Sequence, residues 1–389
     1  MRKIDFEKPD QEALHHSMLV QEHLKNKVND HQGWLSFYDF MNFVLYKPTL
    51  GYYSTGTHKI GLGGDFTTAP EISKLFGVAI ANQLLPAIRK YKKPSILEIG
   101  AGSGKLAFDI INHLNNRNVE LDYYYILEIS GDLKERQKRT LSQLPKEIQV
   151  KIRWLDKVPE EGIEGAVIAN EVIDALPFER FKIIDNDILQ IGITFKGSQL
   201  MEKERAASPV LKEAITNIEN DIGRSFDSGS VSEIRIDFED WFESINKGLK
   251  SGIALFIDYG YARKDYYSSE IDNGNMICHF QNKAHLDPYI YPGLQDISAS
   301  VDFSLLADSA FNLGYQVELY CHQADFLMSA DILESINSET DDEERIRMNQ
   351  QIKQLFLPNI MGESFKCMLL SKECNIEHLE AVKDLRHML

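Results

Sequence analysis

The sequence predicts an α/β fold built on a doubly wound, mostly parallel sheet that ends with an antiparallel strand. Short apolar runs typical of buried strands alternate with amphipathic stretches of helical period along the chain. One strand-to-helix junction, at 98–104, is rich in glycine, as in nucleotide-binding crossovers. The length of 389 residues, 43% of them hydrophobic and 26% charged, is typical of a globular protein with one elaborated domain or two.

The N-terminal part is expected to be helical and to end in a glycine-rich loop. Residues 12–28 and 36–45 have the periodicity of amphipathic helices. Residues 61–70 form the loop, which on local sequence alone is either a flexible linker or a lid, and the proline at its end can begin a helix over 71–85. We assign 1–75 to this N-terminal helical segment and glycine-rich lid.

The strand-like runs predict the sheet itself. Five runs are expected to lie parallel, with helices between them: 94–97, 123–127, 150–155, 165–169 and 253–257. Two later runs fit an antiparallel final pair: 315–320 and 365–370.

The long interval between the fourth and fifth runs divides the chain further. We expect the first half of the core at 76–177, an insertion at 178–250 and the second half of the core at 251–389, which includes a loop segment at 261–300. Within the insertion, the pattern predicts a β-hairpin at 181–194 and a helix at 206–221.

Charge and apolar patterning exclude several classes of protein. The net charge is −17 and there is no dense basic stripe, which argues against a nucleic-acid partner and suits a basic peptide or protein. No apolar run approaches the ~18 residues that span a bilayer. The N-terminus has neither a secretory signal nor a transit peptide, so we expect a cytoplasmic protein with no membrane span.

The cysteines predict no metal site. They form no C-x-x-C pair and have no ligand spacing with histidine, so reduced thiols are expected. They are Cys278, Cys321, Cys367 and Cys374.

The glycine-rich turn discriminates between nucleotide ligands. A dinucleotide fingerprint requires glycine where this chain has Lys105, and a phosphate-binding loop requires Ser or Thr where it has Leu106. The remaining pattern, acidic-x-G-x-G-x-G, resembles motif I of the class I S-adenosylmethionine-dependent methyltransferases. The residues that it assigns to the cofactor are Glu98, Gly100, Gly102 and Gly104.

Polar residues follow the other strands of the expected sheet. Glu128 ends the second run, where such folds hold ribose hydroxyls, although a solvated strand end has the same local pattern. Asp156 ends the third run and is either a contact of the adenine amino group or a helix or turn cap. Asn170, Glu171 and Asp258 end the fourth and fifth runs. Such a group of carboxylates suits a cationic sulfonium donor and a basic or hydroxylated acceptor.

Longer motifs resemble the MidA family of class I methyltransferases. They are 40–53 (FMNFVLYKPTLGYY), 64–73 (GDFTTAPEIS), 170–177 (NEVIDALP), 256–260 (FIDYG) and 292–303 (PGLQDISASVDF). The similarity runs from about residue 36 to residue 371, with Ser298 where the family often has threonine. The family contains bacterial proteins of mostly unassigned substrate and a mitochondrial member understood to dimethylate an arginine of a core subunit of respiratory complex I. The lack of a transit segment indicates a bacterial member.

The resemblance implies S-adenosylmethionine as cofactor and arginine as acceptor. The glycine-rich loop would then close over the donor site, with Asp65 and Thr68 near the methionine moiety. Because a carboxylate pair can hold a guanidinium through a fork of N–H bonds, we assign this clamp to Glu171 and Asp174, with Asn170 orienting the acceptor or the donor amine. On local sequence alone, a helix cap and a solvated strand end explain the two carboxylates equally well.

Two other functions stay open: a small-molecule methyltransferase, and a catalytically silent assembly chaperone that retains the cofactor fold. The segments 178–250 and 261–300 favour a large acceptor, because a small molecule needs less enclosing structure. A protein substrate is therefore expected, and a subunit of a respiratory complex is one candidate.

Overall fold

The computed structural model describes residues 6–54, 67–271, 273–330, 332, 341–376 and 383–389. The chain forms two units that alternate along the sequence. The first contains Met1–Phe66, Asp174–Phe238 and Arg263–Ser300; the second contains Thr67–Ile173, Glu239–Ala262 and Val301–Leu389.

The secondary-structure elements are numbered in chain order. The strands are β1 (Leu35–Ser36), β2 (Ser95–Ile99), β3 (Tyr124–Leu127), β4 (Ile152–Leu155), β5 (Ile163–Asn170), β6 (Glu179–Ile184), β7 (Asp187–Lys196), β8 (Gln199–Ala206), β9 (Val231–Ile234), β10 (Leu249–Tyr261), β11 (Met276–Phe280), β12 (Lys283–His285), β13 (Asp296–Ala299), β14 (Val301–Asp302), β15 (Gln316–His322) and β16 (Phe365–Lys372). The α-helices are α1 (Gln11–Asp30), α2 (Phe37–Tyr46), α3 (Ala69–Ile72), α4 (Lys74–Ile88), α5 (Lys105–Asn116), α6 (Gly131–Leu141), α7 (Lys146–Gln149), α8 (Pro209–Ile222), α9 (Phe238–Asn246), α10 (Arg263–Tyr266), α11 (Phe303–Asn312), α12 (Gln323–Ser329) and α13 (Asp342–Phe356).

The sheet of the second unit has the order β4-β3-β2-β5-β10-β16-β15, with β14 paired to β10. The five strands β4, β3, β2, β5 and β10 are parallel to one another, whereas β16 is antiparallel to both β10 and β15. This arrangement confirms the expected fold class. Ile99 pairs with both Leu127 and Ala169, so the carboxyl ends of β2, β3 and β5 meet at one edge of the sheet.

The first unit contains two antiparallel sheets. One has the order β1-β7-β6-β9 with β8 paired to β7, and the other has the order β12-β11-β13. The hairpin expected at 181–194 is present as β6 and β7. The apolar face of α2 is buried in the same cluster as β13, and this cluster includes Phe37, Phe40, Phe178 and Ile297.

Some sequence expectations were wrong in detail. The helix expected over 71–85 is broken at Ser73, which has extended backbone angles and caps α4 by accepting a hydrogen bond from the N–H of Leu75. The segment 261–300 is not a loop, because it contains α10 and the strands β11 to β13. The division of the chain into the segments 1–75, 76–177, 178–250 and 251–389 remains a prediction.

Candidate cofactor and active site

The turn between β2 and α5 has the backbone shape that close approach to a ligand requires. Its glycines have positive φ values: Gly100 (64°), Gly102 (51°) and Gly104 (82°). A Cβ on Gly100 would lie 3.3 Å from Cγ2 of Val172. Gly104 is the N-cap of α5 and supplies no side-chain hydrogen bond to it. The positive φ values let the backbone of the turn approach a ligand closely at the start of α5, while the N–H groups of Gly100, Gly104 and Lys105 are bonded within the protein.

Glu128 follows β3 as a fixed, buried carboxylate. It is 4% exposed, and burial raises its pKa, while hydrogen bonds from neighbouring groups act in the opposite direction. Its Oε1 accepts from the N–H of Ser130 and its Oε2 from Nε2 of Gln137, each at 2.9 Å. The N–H of Ile129 is a third donor to this carboxylate. Glu128 is therefore a carboxylate of fixed orientation at a strand end, where such folds hold ribose hydroxyls.

Glu98 lies at the same edge within β2 and is 2% exposed. The hydroxyl of Tyr124 donates to its Oε2 at 2.7 Å. Burial raises the pKa of Glu98 to about 7, the hydrogen bond from Tyr124 opposes this, and the charge of Glu128 adds to it. Glu98 is therefore a carboxyl group whose charge changes near neutral pH.

Asp156 lies at the end of β4 and faces solvent. Its side chain is 85% exposed and forms an ion pair with Lys134. Trp154 lies two residues earlier, within β4, and its Nε1 donates to Oε1 of Gln137 at 2.9 Å. A contact of Asp156 with adenine remains a prediction.

Two residues that the sequence analysis missed lie beside Glu128. Gln137 is fully buried on α6 and bonds Glu128, the carbonyl of Gly102 and Trp154. Ile129 directly follows Glu128 and is 67% exposed, which makes it an apolar surface next to this buried carboxylate. Ile129 could have been identified from the sequence, because an apolar residue directly follows the acidic residue at a strand end. No feature of the local sequence identifies Gln137 as a partner of Glu128.

The segment before α4 also reaches the glycine turn. Thr68 is the N-cap residue of α3 and makes no side-chain cap bond, and Asp65 lies outside the described residues. One turn later, Glu71 accepts a hydrogen bond from the hydroxyl of Ser103, which belongs to the glycine turn. Glu71 is thus a further residue that sequence reasoning missed.

Asn170 and Glu171 follow β5, next to the glycine turn. Glu171 has φ of 53°, a left-handed conformation that is strained for glutamate, and its N–H donates to the carbonyl of Ile257 at 2.8 Å. Nδ2 of Asn170 donates to Oε1 of Glu171 at 3.2 Å. Since β5 pairs with β2, these side chains begin at the edge that carries Gly100.

Asp174 belongs to the first unit, whereas Asn170 and Glu171 belong to the second. Its side chain is buried, and its backbone carbonyl accepts from Nη2 of Arg235 at 2.9 Å and from the N–H of Ala299 at 3.1 Å. The backbone of Asp174 is therefore firmly held. The clamp with Glu171 remains a prediction.

The part of the chain that the structure describes shows neither a cluster of metal-binding side chains nor a helix that could span a membrane. None of its His, Cys, Asp and Glu side chains form a group of three or more suited to a metal ion. None of its helices combines the length and the apolar character needed to cross a bilayer.

Comparison with known proteins shows the family of the chain. A family model described as S-adenosyl-L-methionine-dependent methyltransferase matches residues 79–321, more than half of the chain. A crystal structure from Burkholderia thailandensis, bound to S-adenosyl-homocysteine, is 31% identical, has a TM-score of 0.93, and is matched over 99% of this chain and 100% of its own. The glycine turn and Glu128 fit such a nucleoside.

Curated relatives have a more specific name. The Drosophila melanogaster protein named "Protein arginine methyltransferase NDUFAF7 homolog, mitochondrial" is 28% identical over 313 residues, which are 71% of this chain and 66% of that protein. The Bos taurus protein of the corresponding name is 28% identical over 384 residues, which are 90% of this chain and 82% of that protein. The chain thus spans about two thirds of the length of the fly relative.

Proposed function

This chain belongs to the family of S-adenosyl-L-methionine-dependent methyltransferases, with S-adenosylmethionine as its cofactor, and we propose that its methyl acceptor is an arginine side chain of a protein. The observation that carries the proposal is the strained Glu171, which begins at the edge that carries the glycine turn and is hydrogen-bonded by Asn170. A carboxylate there suits a cationic acceptor. The names of the fly and bovine relatives support arginine as that acceptor.

The cofactor, when bound, supplies a methyl group on a positively charged sulfur. The residues of this chain would hold it at the glycine turn of β2, with Glu128 accepting from its ribose hydroxyls and Glu98 near its methionine end. Ile129 would cover the adenine ring. In this scheme the protein positions the two reactants and excludes water, since transfer to nitrogen is an in-line displacement.

The acceptor side of the scheme rests on carboxylates. The lone pair of a guanidinium is delocalised, so a carboxylate that binds its N–H groups can localise the charge away from the attacking nitrogen. We assign this role to Glu171, with Asp174 as its partner in the clamp and Asn170 orienting the acceptor or the donor amine. Asp65 and Thr68 would lie near the methionine moiety.

The protein substrate is expected to carry a basic segment, because the net charge of this chain is −17. A subunit of a respiratory complex is a candidate, in line with the family resemblance. The named relatives are mitochondrial, while this chain is proposed to act in the cytoplasm.

Transfer of radiolabelled methyl from S-adenosylmethionine into a cell lysate tests the acceptor class. The proposal expects label in a discrete protein band, and acid hydrolysis of that band should release methylated arginine. Label confined to small molecules would instead favour a small-molecule methyltransferase. Binding of S-adenosylhomocysteine without any transfer would favour a silent assembly chaperone.

A matched pair of variants ties the label to the site. Glu171→Gln should abolish labelling. Glu164→Gln changes a half-exposed glutamate on the same strand, ion-paired with Lys250, and should leave labelling intact.

A further inference from the structure

The sequence places Asp258 among the carboxylates at the strand ends, but its hydrogen bonds indicate a different task from ligand contact. It lies within β10 and is 1% exposed. Its Oδ2 accepts from the N–H of Ile173 and its Oδ1 from the N–H of Tyr259, each at 3.0 Å. Both oxygens are therefore engaged with backbone donors, one of them 85 residues away in sequence.

The partner of Asp258 belongs to the turn that follows β5. Within this turn, Glu171 has left-handed backbone angles and its N–H is bonded to the carbonyl of Ile257, the neighbour of Asp258. Two consecutive residues of β10 thus hold two N–H groups of the turn. A strained glutamate persists only when the surrounding structure fixes it in this way.

The same turn lies against the cofactor turn. Cγ2 of Val172 lies 3.3 Å from where a Cβ of Gly100 would be. The glycine turn also has its own support, because the N–H of Gly100 donates to the carbonyl of Leu127 at 3.0 Å. A shift of the turn after β5 should therefore disturb Glu171 more than it disturbs cofactor binding.

We propose that Asp258 is a positioning residue that holds the turn at 170–173 in the shape needed for methyl transfer. The proposal rests on the proposed function, because it acts through Glu171. It explains why a carboxylate is buried in a central strand: its two oxygens each accept from one of two backbone N–H groups, Ile173 and Tyr259, that lie on different elements.

Asp258→Asn tests this role. One oxygen becomes an NH₂ group, so a donor must face a backbone N–H whichever way the amide turns. We expect hydrogen exchange at the Ile173 amide to accelerate and methyl transfer to fall, each at least about tenfold, because both depend on the closed turn. The Kd of S-adenosylhomocysteine should change less than about threefold, since Gly100 keeps its own bond.

Asp302 offers matched controls in the same unit. It is buried, and its Oδ1 accepts from the N–H groups of Ser304 and Leu305 at the start of α11. Asp302→Asn retains that oxygen and should keep the cap. Asp302→Ala loses the cap and should lower the melting temperature without a specific loss of transfer.

Several results would overturn the role of Asp258. One is unchanged exchange at Ile173 in Asp258→Asn, and another is a loss of transfer no greater than in Asp302→Ala. If the wild type transfers no methyl group, the proposed function fails, and exchange at Ile173 still decides the role of Asp258. Should the variant not fold, the wild type suffices: its Ile173 amide should be protected at least about a hundredfold, and fast exchange contradicts the proposal.

Discussion

The hydroxyl of Tyr124 donates a 2.7 Å hydrogen bond to Oε2 of Glu98, and the two side chains are 1% and 2% exposed. This pair joins the two neighbouring strands β3 and β2 directly behind the glycine turn. A carboxyl group so deeply buried needs a donor to remain ionised near neutral pH. The pair therefore links the stability of the fold to the charge of Glu98.

Removal of the donor should destabilise the ionised form of Glu98. Tyr124→Phe leaves a buried carboxylate without that hydrogen bond, which should lower the free energy of unfolding by about 1–3 kcal/mol at pH 8 and by less at pH 5. Urea denaturation at the two pH values measures this. Tyr125→Phe, a half-buried neighbour on the same strand, is the control and should show no such pH dependence. Equal losses at both pH values would contradict the assignment.

The raised pKa of Glu98 predicts how stability varies with pH. Between its ordinary value of 4.5 and about 7, the folded chain holds a proton that the unfolded chain has lost. Stability from this group is therefore present at low pH and is lost as the pH rises through about 7. From pH 5 to pH 8, wild type should lose roughly 2–3 kcal/mol relative to Glu98→Gln. A pH-independent difference between the two proteins would refute this.

Glu128 is predicted to supply the ribose contacts. Glu128→Ala removes two charge-assisted hydrogen bonds, so the affinity for S-adenosylhomocysteine should fall by roughly 2–4 kcal/mol. Calorimetric titration measures it. Glu135→Ala, a change on the exposed surface of α6, should leave the affinity unchanged. Unchanged affinity in a folded Glu128→Ala protein would remove this residue from the site.

Gly100 is predicted to be needed for the ligand as well as for the turn. Gly100→Ala adds a methyl group at φ of 64° and 3.3 Å from Val172, whereas Gly197→Ala has nearly the same φ, 66°, and nothing within 4 Å. Both should cost about 1 kcal/mol of stability, because alanine is strained at positive φ. Only Gly100→Ala should also weaken binding of S-adenosylhomocysteine, which the same titration detects. Equal affinities in the two variants would contradict a cofactor role for this turn.

The fold class and the backbone shape of the glycine turn could be predicted from sequence because their signals are local. A glycine at a required spacing specifies a backbone shape wherever it occurs, and an acidic residue after a buried run lies at a strand end. The parallel core followed from the alternation of strands and helices, and the antiparallel end of the sheet from the two final runs, whereas the order of the strands comes from the structure alone.

The supporting residues could not be predicted, because their partners are distant in sequence. Gln137 bonds Glu128 and Trp154 only after α6 has packed on the sheet, and no local pattern marks it. Ser73 ends the short helix α3 and begins α4. The helical period of apolar residues continues across both helices, so the sequence does not reveal the break between them. Asp258 resembles a ligand contact in sequence, yet its oxygens bond the backbone.

Glu171 is proposed to act on the methyl acceptor, and single-turnover transfer by Glu171→Gln measures that role. The variant keeps the size of the side chain and loses its charge. We expect S-adenosylhomocysteine to bind as in the wild type while transfer to the protein acceptor slows at least about a hundredfold, roughly 2.7 kcal/mol of transition-state stabilisation. A Glu171→Gln, Asp174→Asn double variant that methylates at the normal rate would contradict it.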